Sequence, residues 1–176
     1  LCPFQIDASH ILAHLALQRG IGDVRQDFLV DRDDLAVVLM GRGELAERTL
    51  VTALAAGLGS VELWCAPGTD DAFFAACARR YGVGLRAQGK GDLGMRMARA
   101  LEHARAGGFH GLLVGSDCPV LTAEYLREAA AGLVGGNDAV FGPAEDGGYV
   151  LIGLARKPSA QLFQDIAWGT ATVMQE

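Results

Sequence analysis

The chain has no apolar run long enough to cross a membrane. The nearest candidate, residues 50–67, is interrupted by polar residues and glycines, whereas a membrane-spanning helix needs about 20 predominantly apolar residues. The chain also has no block of Lys or Arg, and its net charge is -6. Because nucleic-acid grooves need concentrated positive charge, we expect neither a membrane span nor a nucleic-acid partner.

Cysteine is scarce and unpaired in sequence. None of the four cysteines forms a CxxC pair, and two of them lie in apolar runs, where a thiol behaves as a small hydrophobic side chain. No signal peptide is visible at the start of the chain. We therefore expect a protein of the reducing cytoplasm.

Short apolar runs alternate with helical patterns from Leu35 onward. Apolar runs predict strands at residues 35–40, 61–66, 83–87, 111–115, 138–141 and 149–154. Helical spacing predicts helices at residues 44–57, 70–81, 92–106 and 122–133. This alternation is typical of an α/β domain with a mostly parallel sheet. The last two strands are too close for a crossover helix, so they predict an antiparallel pair in a mixed sheet.

The first 34 residues do not fit the alternation. Residues 7–18 predict one amphipathic helix, and residues 31–34 form a polar lead-in to the first strand. We therefore divide the chain into an N-terminal segment of uncertain placement, 1–34, and an α/β domain, 35–176.

The first candidate site is Asp117, in the segment Gly-Ser-Asp-Cys-Pro. Its carboxylate comes just past the end of a buried strand, where ligands bind in open α/β sheets. Mg²⁺ is often held by one or two carboxylates together with substrate phosphates. The alternative interpretation is that Asp117 only caps the next turn, with Pro119 ending the strand.

The second candidate is the segment Gly-Pro-Ala-Glu-Asp-Gly-Gly-Tyr at residues 142–149. Glu145 and Asp146 are adjacent acids, and Gly147 and Gly148 would let a ligand approach the backbone. We expect Asp146 to lie within a few ångströms of Asp117, so that both carboxylates bind one cation. The alternative interpretation is a plain hairpin, since Asp-Gly is a common turn pair.

The third candidate is a Gly-rich entry into a helix at residues 88–96. Backbone N–H groups at a helix start, with Lys90 and Arg96 nearby, suit an anion. The alternative interpretation is a loop without a ligand, in which Asp92 caps the helix.

Four motifs together resemble one family. GDLGMRM, GSDCPVLT, GPAEDGGYVLIGL and the later Ile-Ala-Trp-Gly-Thr stand in the order and spacing of a bacterial family of GT-A-like proteins. These proteins are often labelled arsenosugar-biosynthesis-type glycosyltransferases, and they belong to the nucleotide-diphospho-sugar transferase superfamily. The family is also similar to guanylyltransferases that activate phospholactate or phosphoenolpyruvate. The resemblance runs from about Glu47 to the C-terminus.

The resemblance implies a GT-A fold, a three-layer α/β/α sandwich with a mostly parallel sheet. It implies that Asp117 binds the metal, Mg²⁺ or Mn²⁺, and that Asp146 helps to hold metal and acceptor. Glu145, Gly147 and Gly148 belong to the same acceptor loop. The segment that borders the nucleotide comprises Lys90, Gly91, Asp92, Leu93, Gly94 and Arg96. Trp168 and Thr170 match a C-terminal motif whose role the resemblance does not define.

The front of the domain departs from the family. Family members follow the first strand with a loop ending in a Lys-Thr-Arg-Leu type motif, which supplies positive charge to the diphosphate. Here Met40 is followed directly by Gly41-Arg42-Gly43, and Arg42 is the nearest cation. About twenty residues are missing, so either the sequence omits a flexible loop or this member has lost the phosphate-binding motif. We expect residues 40–44 to be the least ordered part of the site's rim.

The resemblance implies a metal-dependent transferase that uses a nucleoside-diphosphate sugar. A first alternative is a nucleotidyltransferase that joins a nucleoside triphosphate to a small phosphorylated or carboxylated acceptor. A second alternative, favoured by the missing basic loop, is a domain that binds a nucleotide or a partner without chemistry. The sequence names neither the sugar, the base nor the acceptor, because fold-level analogy does not fix chemistry.

Overall fold

A computed structural model describes residues 35–41, 43–155 and 160–175 of the chain. The described residues form six strands, which are β1 (Leu35–Gly41), β2 (Ser60–Cys65), β3 (Gly84–Ala87), β4 (His110–Gly115), β5 (Ala139–Pro143) and β6 (Tyr149–Leu154). They also form four α-helices, which are α1 (Gly43–Ala56), α2 (Ala72–Tyr81), α3 (Leu93–Ala106) and α4 (Ala123–Val134). Two short 3₁₀ helices follow, Ala160–Phe163 and Val173–Gln175. Each strand and helix predicted from residue 35 onward is present, with its ends shifted by no more than a few residues.

The six strands form one mixed sheet in the order β3-β2-β1-β4-β6-β5. β1 pairs in parallel with both β2 and β4, and β2 pairs in parallel with β3. β6 is antiparallel to both of its neighbours, β4 and β5. The predicted α/β class and mixed sheet are therefore confirmed, including the antiparallel pair that the short spacing indicated.

Helices cover both faces of the sheet because β1 is apolar on both sides. Side chains alternate along a strand, so Leu35, Val37 and Leu39 pack in one cluster with residues of α1, α2 and α4. Ala36, Val38 and Met40 pack in a second cluster with α3 and with Phe163. Phe163 belongs to residues 160–175, which we name the C-terminal segment. The protein is a three-layer α/β/α sandwich, as the resemblance implied.

Side-chain caps fix where three helices begin. Asp71 accepts a hydrogen bond from Phe73 N at the start of α2, and Thr122 accepts one from Tyr125 N at the start of α4. Asp92 accepts a hydrogen bond from Met95 N at 2.8 Å, so the predicted cap of α3 is confirmed.

Some predictions fall outside the described residues. These are the helix at residues 7–18, the polar lead-in at 31–34 and the cation Arg42. The division into residues 1–34 and 35–176 accordingly stays a prediction. None of the helices in the described ranges combines the length and the apolar character that a membrane crossing requires.

Candidate functional site

All the candidate residues before position 150 lie along one edge of the sheet, which we name the carboxyl edge. The parallel strands β1, β2, β3 and β4 end there, and so does β5. β6 runs the other way, so the turn that joins β5 to β6 also lies at this edge. Ligands in open α/β sheets bind outside the carboxyl ends of the strands.

The ends of β1 and β4 pack so closely that no side chain fits at Gly41. A Cβ atom on Gly41 would lie 2.1 Å from Ser116 Oγ, so only glycine fits at this position. Ser116 N donates a hydrogen bond to Met40 O at 3.1 Å. β1 ends at Gly41 and α1 begins at Gly43, so a single residue of the sequence connects them.

Asp117 is exposed at the end of β4. Its Oδ1 lies 2.9 Å from where a Cβ atom on Gly115 would stand, so the carboxylate folds back over the last residue of the strand. Thr122, not Asp117, caps the following helix. Within the described residues, no hydrogen bond or ion pair to the Asp117 carboxylate is formed, so the capping alternative has no bond to support it.

Asp146 lies in a tight hairpin between β5 and β6. Gly147 N donates to Ala144 O, and Ala144 N donates to Gly148 O. Gly147 has a φ of 86°, a left-handed conformation that favours glycine. The hairpin interpretation was therefore right about the backbone. It leaves Asp146 exposed, with Oδ1 accepting a hydrogen bond from Gly148 N at 3.0 Å.

The two carboxylates share an edge, and their chemistry fits a hard cation. Asp117 lies beside the start of β6, the strand that follows the Asp146 turn. Within the described ranges, no three His, Cys, Asp or Glu side chains gather as a complete ligand set. Two carboxylates suit Mg²⁺ or Mn²⁺ when phosphate oxygens and waters complete the coordination. Their predicted distance of a few ångströms stays a prediction.

Two arginines of α3 hold the Gly-rich segment that follows β3. Arg99 donates from Nη1 to Gln88 O and from Nη2 to Lys90 O, the second at 3.2 Å. Arg96 Nε donates to Gly91 O at 2.9 Å. In a trans peptide the N–H points opposite to the C=O, so each arginine that binds a carbonyl turns the next N–H away from α3. The basic side chains and these N–H groups can face an anion.

Sequence reasoning named Arg96 as an anion ligand but missed Arg99. Arg99 sits two turns inside α3, and a Cβ atom on Gly89 would lie 2.9 Å from its Nη1. The two glycines of the segment, Gly89 and Gly91, have φ values of 77° and 115°. The positive φ values and the arginine bonds together give this segment one defined path.

Gly94 and Leu93, both predicted to border the nucleotide, have different surroundings. Leu93 is 44% exposed at the start of α3 and can meet a ligand. Gly94 is buried, and a Cβ atom there would lie 2.5 Å from Phe163 O and 2.8 Å from Trp168 Cζ2. Close packing of the C-terminal segment on α3 is therefore sufficient to explain the glycine at position 94.

Residues 49–170 match the model of a bacterial family described as "uncharacterized protein conserved in bacteria (DUF2064)". The chain belongs to this family. No curated protein matches it. Among solved structures, it is similar to one from Desulfovibrio desulfuricans G20 named as a "putative nucleotide-diphospho-sugar transferase". The two are 27% identical with a TM-score of 0.65, and the match covers 82% of this chain and 73% of the other.

The DUF2064 match includes Trp168 and Thr170, which belong to the C-terminal segment that contacts the hairpin carrying Glu145 and Asp146 (the acidic hairpin). Trp168 meets the ring of Tyr149 edge to face, with the ring centroids 6.3 Å apart. Thr170 Oγ1 donates to Ala167 O at 2.8 Å and so shapes the turn after the tryptophan. Further on, Met174 N donates to Gly147 O at 3.0 Å. The C-terminal motif therefore supports the hairpin that carries Asp146.

A buried tyrosine lies beneath the same hairpin, and sequence reasoning did not select it. The Tyr125 hydroxyl lies 2.4 Å from where a Cβ atom on Gly142 would stand. Burial, followed by the nearby Cys118 and Glu128, raises the pKa of Tyr125 to about 12. Tyr125 therefore stays neutral at physiological pH.

Proposed function

We propose that this DUF2064 protein is a metal-dependent transferase that uses a nucleoside-diphosphate sugar. The observation that carries the proposal is that one sheet edge has a Gly-rich segment held by two arginines on one side and two exposed carboxylates on the other. The similarity to the Desulfovibrio structure supports a donor of the nucleoside-diphosphate-sugar class. In its most specific form, the proposal is a glycosyltransferase of the arsenosugar-biosynthesis type, as the resemblance implies.

In this proposal, each side of the edge takes one part of the donor. The segment Lys90–Gly94 and Arg96 border the nucleotide, with Lys90 and Arg96 facing its phosphates. Asp117, aided by Asp146, holds Mg²⁺ or Mn²⁺. When bound there, the cation acts as a Lewis acid toward the diphosphate as it leaves. Glu145, Gly147 and Gly148 form the acceptor side, with Trp168 and Thr170 supporting it.

The transfer step conserves atoms and charge as follows. A hydroxyl oxygen of the acceptor forms a bond to the anomeric carbon, and the bond from that carbon to the diphosphate oxygen breaks. The electron pair stays on the diphosphate, and the hydroxyl proton passes to water. The residues of this chain bind and orient the two substrates for that step.

A second function, binding without chemistry, is favoured by one specific observation. A single residue connects β1 to α1, so the basic loop that clamps the diphosphate in family members is absent. A donor bound only through the segment after β3 would have fewer cations to neutralise its leaving group. The same site would then serve as a nucleotide sensor or a partner-binding surface.

Product analysis separates the candidates. The protein is incubated with Mn²⁺ and a panel of nucleoside-diphosphate sugars and nucleoside triphosphates, with Asp117→Asn as the control. Release of free nucleoside diphosphate by the wild type, and not by the variant, is the expected result. Release of pyrophosphate would instead identify a nucleotidyltransferase. Binding of donor without either product would leave the binding function as the answer.

A further inference from the structure

An apolar pocket lies between the sheet and the C-terminal segment, apart from the residues assigned to donor and metal. Its volume is about 180 Å³. Three aromatic rings line it, together with aliphatic side chains of the C-terminal segment, among them Phe141, Tyr149, Trp168, Ile166, Val173 and Met174. We name it the aromatic pocket.

The rings stand around the space instead of filling it. Phe141 and Tyr149 meet edge to face with centroids 5.6 Å apart, and Tyr149 and Trp168 meet at an interplanar angle of 84°. Such edge-to-face pairs are favourable arrangements of aromatic rings. The side chains remain partly exposed, and Met174 is 37% exposed at the mouth.

None of the described residues that line the pocket is charged. Its one hydroxyl, on Tyr149, contacts Met97 Sδ at 3.9 Å, and burial raises the pKa of Tyr149 well above its usual range. Because an uncompensated charge or an unpaired polar group is costly in such surroundings, this lining favours an uncharged and apolar ligand group.

The pocket is joined directly to the acidic hairpin. Met174, at its mouth, donates its backbone N–H to Gly147 O at 3.0 Å. Tyr149, in its wall, is the first residue of β6 after the hairpin. A molecule seated here with a hydroxyl at the mouth would present that hydroxyl beside Gly147 and Gly148.

We propose that the aromatic pocket binds an uncharged, ring-sized apolar group of the acceptor. Its size supports this class, since an apolar cavity of about 150 Å³ holds benzene. The inference rests on the proposed transferase function for the identity of the molecule as an acceptor. It extends that function because the acceptor would carry an apolar ring next to the hydroxyl that receives the sugar.

The binding test uses two alcohols with six-membered rings. Cyclohexanol is titrated into the protein without donor or metal, and the indole N–H signals of Trp168 and Trp64 are followed by NMR. Trp64 is buried beneath α3 and serves as the internal reference. We expect the Trp168 signal to move and saturate in the millimolar range with cyclohexanol and to stay in place with myo-inositol, a polar ring of the same size. No movement, or equal movement with both alcohols, would overturn the proposal.

A filled pocket supplies the matched variant. Val173→Phe places a ring inside the pocket, and Val51→Phe makes the same change on α1, at a position 46% exposed. We expect Val173→Phe to weaken cyclohexanol binding about tenfold or more, a loss typical of a changed fit in an apolar pocket, while Val51→Phe has no effect. Met174→Phe replaces it if Val173→Phe does not fold. Unchanged binding in the folded variant contradicts the proposal.

The role as acceptor site is tested with the donor present. In wild type, cyclohexanol should raise the release of nucleoside diphosphate above the rate of donor hydrolysis, and Val173→Phe should remove only that increase. Donor hydrolysis with no increase in wild type overturns the acceptor assignment and leaves the transferase function standing. Cyclohexanol binding without any diphosphate release overturns the transferase function, and with it the acceptor assignment, while the pocket itself stands as an apolar binding site.

Discussion

The two sides of the carboxyl edge are stabilised in different ways. On the basic side, the carbonyls of Gln88, Lys90 and Gly91 are bound by Arg99 and Arg96, so the segment keeps its shape through contacts within the protein. On the acidic side, Asp117 is exposed and receives no hydrogen bond from the described residues. In the proposed function, the basic side would be organised in advance for an anion, whereas the acidic side would need a cation to offset its charges.

On the acidic side, the hairpin backbone is held by contacts that its carboxylates lack. The hairpin backbone is well supported, since Met174 N binds Gly147 O and Ala171 packs against Gly147. Its carboxylates have few partners by contrast. A ligand site needs binding side chains that are accessible and a backbone that is held in a fixed position.

The largest expected effect is on the free energy of unfolding, through the hairpin backbone at Gly147. A Cβ atom on Gly147 would lie 2.0 Å from Ala171 O, at a φ of 86°. Gly108 has a φ of 88° with open space around it. We expect Gly108→Ala to lower the free energy of unfolding by about 1 kcal/mol through backbone strain alone. Gly147→Ala should lower it by about 2–4 kcal/mol, because the clash adds to the strain.

Urea denaturation measures both variants. Equal losses for Gly147→Ala and Gly108→Ala would show that the C-terminal segment does not rest on the hairpin as described. Release of that segment should also expose Trp168, so the fluorescence of Gly147→Ala should shift toward longer wavelength.

The second prediction concerns the basic side. Arg99→Lys keeps the charge but loses the planar group that binds two carbonyls at once. We expect it to weaken binding of a nucleoside-diphosphate sugar about thirtyfold, since the two carbonyl bonds that hold the segment in place contribute about 1 kcal/mol each. Arg79→Lys, at an exposed arginine in the last turn of α2, is the matched control. Calorimetric titration measures both, and an Arg99→Lys variant with wild-type affinity would mean that charge alone matters.

The smallest expected effect is a difference in the free energy of unfolding between variants of Asp92, on the basic side, and Asp117, on the acidic side. Asp92 caps α3, so Asp92→Ala should lower the free energy of unfolding by about 1 kcal/mol. Asp117→Ala should change it by no more than about 0.5 kcal/mol in metal-free buffer, because the exposed carboxylate has no partner to lose among the described residues. A loss of similar size in both variants would mean that Asp117 has a structural role.

Much of the fold could be predicted because each strand is bounded by clear signals. Residues 149–154 form an apolar run that follows Gly147-Gly148, and β6 has those same ends, Tyr149–Leu154. The short spacing between 138–141 and 149–154 was enough to predict their antiparallel pairing. The position of β6 between β4 and β5 was not predicted, because strand order depends on contacts across the sheet and not on local pattern.

The site was harder to predict where it depends on tertiary contacts. Arg99 binds Gln88 O, eleven residues earlier in the chain, and only the direction of α3 brings the two together. Gly94 was assigned to the nucleotide, yet its neighbours are Phe163 and Trp168 from the far end of the domain. Asp117 and Asp146 could be placed at one edge from the sequence, because the rule for strand ends needs no tertiary detail.

The metal-dependent binding of donor at Asp117 is the central claim, and one titration tests it most directly. A nucleoside-diphosphate sugar is titrated into wild type and into Asp117→Asn, each in Mn²⁺ and in EDTA. We predict that wild type binds the donor at least about tenfold more tightly in Mn²⁺, a gain of about 1.4 kcal/mol. Asp117→Asn should bind it equally weakly in both buffers. Equal affinity of wild type in the two buffers, or a full Mn²⁺ effect in the variant, would contradict the account.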